Sequence, residues 1–146
     1  MDVTLLTWLV AGTGLVLMLL LASLQLVAVL RPLDPWTVKN VYGGDPPEND
    51  PTAYFAFNQG MAWADTFFWA PLQIAGSIGM MLGERWGFLL ALAASTPFWY
   101  TAILIFIWDR DLGARQPTAS YWVVIWGMWP TFGVVEGAYC FVRLLE

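Results

Sequence analysis

The sequence has no histidine, one cysteine and few charged side chains. Lys, Arg, Asp and Glu together make up 12% of its 146 residues, whereas soluble domains carry about 25%. Haem, copper and zinc sites draw mainly on imidazole or on paired thiolates, so their usual ligands are missing. A lone cysteine also excludes an internal disulfide. We therefore predict that the protein holds no cofactor and no metal ion.

Positive charge is scarce as well. Six Lys and Arg stand against eleven Asp and Glu, which gives a formal net charge of −5 at pH 7. A protein that binds nucleic acid, or anionic headgroups through a polybasic segment, needs a cluster of basic residues. The sequence has no such cluster and therefore predicts no nucleic-acid partner.

Apolar side chains are abundant, at 59% of the chain, and aromatic ones reach 16%. A helix of about 20 residues crosses a hydrocarbon core of about 30 Å, and four apolar runs reach that length. The sequence thus predicts an all-α fold: a polytopic integral membrane protein of one domain, built as a four-helix up-down-up-down bundle. The predicted transmembrane helices cover residues 3–30, 53–82, 86–108 and 121–145, with a structured loop over 31–52.

The loop over 31–52 carries start signals for a short helix. Asp34 followed by Pro35 is typical of an N-cap and first helical position, and we expect Trp36 and Tyr42 to lie at headgroup level. The turn Gly83-Glu84-Arg85 is so short that the second and third helices must be antiparallel neighbours. Small residues at four-residue spacing predict close helix packing: Ala75, Gly79 and Gly83 in the second helix, and Gly133 and Gly137 in the fourth.

The basic residues indicate an orientation in the membrane. Four belong to the side of the two longer loops, namely Arg31, Lys39, Arg110 and Arg115, against Arg85 and Arg143 on the other side. Because cytoplasmic loops carry an excess of Lys and Arg, we predict that both termini lie outside the cytoplasm. The membrane predicted is the bacterial inner membrane, and lipids are the expected partners.

Two acids interrupt the predicted membrane helices. Asp65 lies near the middle of the second helix and Glu136 somewhat past the middle of the fourth. A charged side chain at the centre of a bilayer costs roughly 2.5 to 3.5 kcal/mol on insertion scales, which normally directs it into the protein interior. We expect both acids to face inward. Prolines inside three of the helices, at Pro71, Pro97 and Pro130, predict kinks that open a cavity.

Aromatic side chains share the helix faces of the two acids, because residues three, four and seven apart lie on one face, and Asn58, Gln59, Gln73 or Tyr139 offers a polar bridge between the acids. The sequence therefore predicts a cavity lined by acids, amides and rings. The candidate ligand-binding residues are Asn58, Gln59, Met61, Asp65, Trp69, Gln73, Trp129, Phe132, Glu136 and Tyr139; Asp65 and Glu136 are also the candidate catalytic residues. In the structural alternative, Asp65 hydrogen-bonds to Asn58 or to the third helix at Ser95, Thr96 or Tyr100, and Glu136 pairs with Arg143.

The functions that fit such a cavity are of two classes. In the first, the protein binds a lipophilic ligand, neutral or cationic, or a proton, as a transporter or as a lipid-binding or isomerising protein. If it is an enzyme, it is an intramembrane acid/base isomerase or cyclase that acts on a lipid. In the second, it is a non-catalytic accessory subunit of a larger membrane complex. The sequence leaves open whether it forms homo-oligomers.

Overall fold

The computed structural model describes residues 1–42, 54–112 and 122–146. Within these ranges all regular structure is helical and no strand occurs, so the predicted all-α class is confirmed. The α-helices are α1 (Leu5–Leu30), α2 (Pro35–Thr37), α3 (Tyr54–Ala64), α4 (Ala70–Met81), α5 (Arg85–Leu112) and α6 (Trp129–Leu145). Three further segments are π-helical: π1 (Val38–Tyr42), π2 (Asp65–Trp69) and π3 (Trp122–Met128).

The helices lie where the sequence predicts them, and the first begins two residues later than predicted, at Leu5. The predicted starts at 53 and 121, and the loop residues 43–52, lie outside the described residues. The third predicted helix is longer than expected, since α5 continues to Leu112. The second and fourth contain π2 and π3, which the sequence analysis did not predict.

Within the described residues, two helices are long and apolar enough to cross a membrane, judged by length and composition: Leu5–Leu30 and, within α5, Arg85–Ile107. This is fewer than the four spans predicted. The other two predicted spans contain π-helical segments, and their α-helical pieces have 11, 12 and 17 residues. Each piece is therefore shorter than the about 20 helical residues that cross a hydrocarbon core.

The segments π2 and π3 each end two residues before a proline. Pro71 is the second residue of α4 after π2, and Pro130 is the second residue of α6 after π3. In an α-helix the proline ring clashes with the carbonyl four residues earlier, which here belongs to Phe67 and Trp126. A wider π-helical turn at these carbonyls gives the ring room, and we attribute π2 and π3 to this effect.

The chain forms two compact units. The first unit consists of Met1–Val16 with Leu72–Glu146, and the second unit of Leu17–Pro71. In the first unit, Gly83 turns the chain between α4 and α5 with a φ of 73°, a conformation that suits glycine. The predicted hairpin at this turn is thereby confirmed.

Small residues let the helices of the first unit touch through their backbones. A Cβ added to Gly76 would lie 2.7 Å from the Ala91 nitrogen, and one added to Gly133 would lie 2.8 Å from the Ser95 carbonyl oxygen. Gly79 and Gly87 face each other at similarly close range. The predicted packing through Gly79 and Gly133 is therefore confirmed, and Gly76 belongs to the same contact.

The second unit begins its short helix as predicted. The Asp34 side chain caps α2 by accepting hydrogen bonds from the Trp36 and Thr37 amides, and Pro35 is the first helical residue. Tyr42 is buried within the second unit: it is 2% exposed and donates a hydrogen bond to the Ala28 carbonyl over 3.0 Å. Its position at headgroup level stays a prediction. Burial raises the pKa of the Tyr42 hydroxyl, which favours its neutral, hydrogen-bond-donating form.

Candidate functional site

Glu136 lies on the buried face of α6. The buried residues of this helix are Gly133, Glu136, Cys140 and Arg143, and their spacing of three or four residues places them on one side. The side chain of Glu136 is 0% exposed. The fold of the first unit therefore holds this acid in its interior, as the sequence predicts.

An amide side chain from α4 meets the acid. Gln73 Nε2 donates one hydrogen bond to Glu136 Oε1 over 2.6 Å and another to Ser77 Oγ over 3.3 Å. The remaining oxygens, Glu136 Oε2 and Gln73 Oε1, are buried and have no hydrogen-bond partner. We call Glu136 and Gln73 the acid–amide pair. Its two unpartnered oxygens can bond to each other only if one of them carries a proton.

Helix α1 approaches this pair at Gly14. A Cβ added there would lie 2.6 Å from Gln73 Nε2, 3.0 Å from Glu136 Oε1 and 3.1 Å from Phe132 Cζ. Only a residue without a side chain leaves the three groups where they are. Gly14 thus fixes how near the backbone of α1 comes to the acid–amide pair.

Arg143 does not pair with Glu136. Its guanidinium donates a hydrogen bond to the Asp2 carbonyl over 2.7 Å and lies 3.0 Å from a carboxylate oxygen of Glu146. It also lies 5.7 Å from the centre of the Phe88 ring. Because Glu146 is 60% exposed, the ion pair between Arg143 and Glu146 is only partly desolvated. A pair with Glu136 would desolvate both charges.

Aromatic rings pack beside the acid–amide pair within the first unit. The Phe98 ring makes edge contacts with Trp129 and with Phe132, each with ring centres 5.0 Å apart. Tyr139, one turn beyond Glu136, shares a hydrogen bond of 2.6 Å with the buried Thr7 hydroxyl. Of the predicted candidates, the first unit therefore brings together Gln73, Phe132 and Glu136. The other two candidates on α6 have different contacts: Trp129 packs against Phe98, and Tyr139 bonds to Thr7.

Asp65 belongs to the second unit and also meets a glutamine. Gln25 Nε2 of α1 donates a hydrogen bond to Asp65 Oδ2 over 2.9 Å, and Asp65 is 7% exposed. Asp65 is the first residue of π2, and its carbonyl accepts the amide of Ala70, five residues on. Such π-helical turns are frequent at functional sites. Trp69, at the end of π2, is buried.

The remaining candidates, Asn58, Gln59 and Met61, lie on α3 of the second unit and are half-buried. The structure thus describes each acid within its own unit, with an amide as hydrogen-bond partner. The single cavity lined by both acids stays a prediction.

Three residues of these sites were missed by the sequence analysis. Gln25 is the only amide side chain in α1, where every neighbour is apolar or small, and a lone amide in an otherwise apolar helix is a signal for a buried polar partner. Gly14 and Ser77 carry no comparable signal, because small residues are common throughout these helices. Only the fold shows that they lie at the acid–amide pair.

Within 1–42, 54–112 and 122–146, no three side chains of the His, Cys, Asp or Glu type come together. The absence of a metal stays a prediction for the chain as a whole. Glu136 offers one carboxylate oxygen held by an amide and one oxygen without a partner.

No family model matches this chain, and no curated protein or solved structure is similar enough to count as a match.

Proposed function

We propose that the chain is an integral membrane protein with four membrane-spanning helices. Two helices already have the length and composition of a span. The other two spans would be the π-interrupted helices, α3 to α4 and π3 to α6, since membrane helices tolerate such irregular turns. Support comes from the apolar side chains that α1 leaves uncovered, such as Leu5 at 76% and Leu30 at 70% exposure. Such a surface suits lipid as its surroundings.

We further propose that Glu136 binds a proton or the cationic group of a lipophilic ligand. The main support for this proposal is the surroundings of Glu136. The residue is 0% exposed, and one of its carboxylate oxygens has no hydrogen-bond partner. Among the described residues, an amide and no cation lies beside it. A buried acid without a cationic partner is retained where function needs it. The rings of Phe132 and Trp129 lie on the same side and would attract a cation.

Asp65 is a second binding group in this proposal. Its carboxyl group has the same kind of partner as Glu136, an amide that can donate to the ionised form. A protein with two such acids suits transport of a lipophilic cation in exchange for protons, or binding and isomerisation of a lipid. In keeping with the distribution of Lys and Arg, both termini would lie outside the cytoplasm.

Lipophilic-cation binding tests the proposal. We expect tetraphenylphosphonium to raise the melting temperature of the purified protein in detergent, and acid to weaken its binding because protons compete for the carboxylate. Glu136→Gln should lower the affinity at least about tenfold, equivalent to about 1.4 kcal/mol. The measurement is a fluorescence titration over several pH values, which the tryptophans of the chain make convenient.

Glu84→Gln is the matched control, because Glu84 is an exposed glutamate in the turn before α5 and should leave binding unchanged. Asp65→Asn tests the second proposed binding group in the same titration and should reduce the amount of tetraphenylphosphonium bound. Equal affinity of wild type and Glu136→Gln would contradict the proposal.

The accessory-subunit alternative is favoured by the uncovered apolar face of α1, which also fits a partner helix. It predicts that the protein purifies in fixed stoichiometry with other membrane subunits and that tetraphenylphosphonium has no effect on melting. Both results together would replace the ligand-binding proposal.

A further inference from the structure

We infer that the acid–amide pair is a proton site, in which Glu136 Oε2 carries the proton and Gln73 Oε1 accepts its hydrogen bond. The inference rests on the proposed function and decides between the two kinds of ion that Glu136 is proposed to bind. In the described conformation Glu136 carries the proton. A cation binds to Glu136 only after that proton has left.

The donors and acceptors of the pair carry this inference. Both amide hydrogens of Gln73 are used, one on Glu136 Oε1 and one on Ser77 Oγ. What remains is two buried acceptor oxygens, Glu136 Oε2 and Gln73 Oε1. Buried acceptors that stay unpaired are costly. One proton on Oε2 converts that oxygen into a donor. The acid then donates one hydrogen bond to the amide and accepts one from it.

Among the side chains that the structure describes on the elements packed against Glu136, no free cation balances an ionised carboxylate. Helix α4, and the part of α1 in the first unit, contain no titratable side chain. On α5, Arg85 donates to the Leu144 carbonyl and Tyr100 is exposed. On α6, the neighbouring groups are Cys140, Tyr139 and Arg143, and the guanidinium of Arg143 is held by Asp2 and Glu146.

Proton exchange at Glu136 needs no reactant other than water and its hydronium ion. On uptake, an O–H bond forms at Glu136 Oε2 with a proton that hydronium supplies. On release, that bond breaks, the proton passes to water and the carboxylate keeps the electron pair. A cation then competes for the vacated negative charge, so that proton and cation occupy Glu136 in alternation.

Infrared spectroscopy tests the inference in lipid nanodiscs at neutral pH. We expect the difference spectrum between wild type and Glu136→Gln to contain the carbonyl band of a protonated carboxylic acid. Gln73→Leu should shift this band, because the acid loses its amide partner. Glu136→Gln should melt at or above the wild-type temperature, since its amide supplies the donor that the proton supplies in Glu136. Glu136→Leu should melt lower.

An ionised-carboxylate band in the wild type would overturn the inference, and so would a Glu136→Gln protein that fails to fold or melts clearly below wild type. If the carboxylate is ionised but Glu136-dependent tetraphenylphosphonium binding persists, only the proton assignment is lost. If the acid is protonated but no cation binds at any pH, the inference stands and the proposed cation binding is lost.

Discussion

Gly87→Ala is expected to lower the free energy of unfolding by about 3 kcal/mol, the upper end of what overpacking a core usually costs. A Cβ on Gly87 would lie 2.5 Å from Gly79 Cα, and nearer still to the carbonyl carbon of Gly79 and the amide nitrogen of Met80. These are backbone atoms of the facing helix and cannot rotate away. The α4–α5 hairpin must therefore separate to accept even one methyl group. Thermal unfolding in detergent, followed by tryptophan fluorescence, measures the loss.

Gly60→Ala is the control for this experiment. Gly60 lies within α3, and an added Cβ would meet nothing within 4 Å. Alanine is the better helix former by about 1 kcal/mol, so this variant should match or exceed the wild-type stability. Equal melting temperatures for Gly87→Ala and Gly60→Ala would show that α4 and α5 do not touch at these glycines.

Gly14→Ala is expected to disrupt the acid–amide pair. The added methyl group would lie closest to Gln73 Nε2, at 2.6 Å, and next to Glu136 Oε1, at 3.0 Å. Both atoms end flexible side chains, so they move apart rather than displace a helix, and the stability loss should be modest, about 1–2 kcal/mol. The larger effect should be on function, because the tetraphenylphosphonium affinity and the carboxyl infrared band both depend on this contact.

Gly12→Ala provides a control on the same helix. Its added Cβ would meet only Met81 Cε, at 3.9 Å, which is an ordinary van der Waals distance. We expect this variant to bind tetraphenylphosphonium as the wild type does. If Gly12→Ala and Gly14→Ala behave alike in binding and in the infrared spectrum, α1 does not approach the acid–amide pair as described.

Much of the helical architecture could be predicted because long apolar runs and turn residues act locally. The hairpin at Gly83 and the cap at Asp34 depend on residues adjacent in sequence, and both were predicted. The π-helical segments were not predicted, because a proline in the sequence indicates a disturbed helix but does not indicate how the backbone adjusts. The inward position of Glu136 was predicted from the cost of placing charge in lipid.

The partners of the two acids were harder to predict. Gln73 was among the candidates, but its contact with Glu136 depends on how α4 packs against α6. Arg143 lies two turns from Glu136 on the same helix face and suggests an ion pair, yet it binds Glu146 at the end of its own helix and the carbonyl of Asp2. Gln25 meets Asp65 from forty residues away, and sequence spacing cannot reveal a contact between separate helices.

The most direct test of this account is a double-mutant cycle on the acid–amide pair, with unfolding measured for Glu136→Leu, Gln73→Leu and the double variant. Each single change leaves one buried polar group without a partner and should cost about 1–3 kcal/mol, whereas removing both partners should cost much less than the sum. We predict a coupling energy of about 1–3 kcal/mol. Costs that add to within about 0.5 kcal/mol would show that the two side chains do not interact, and would contradict the account.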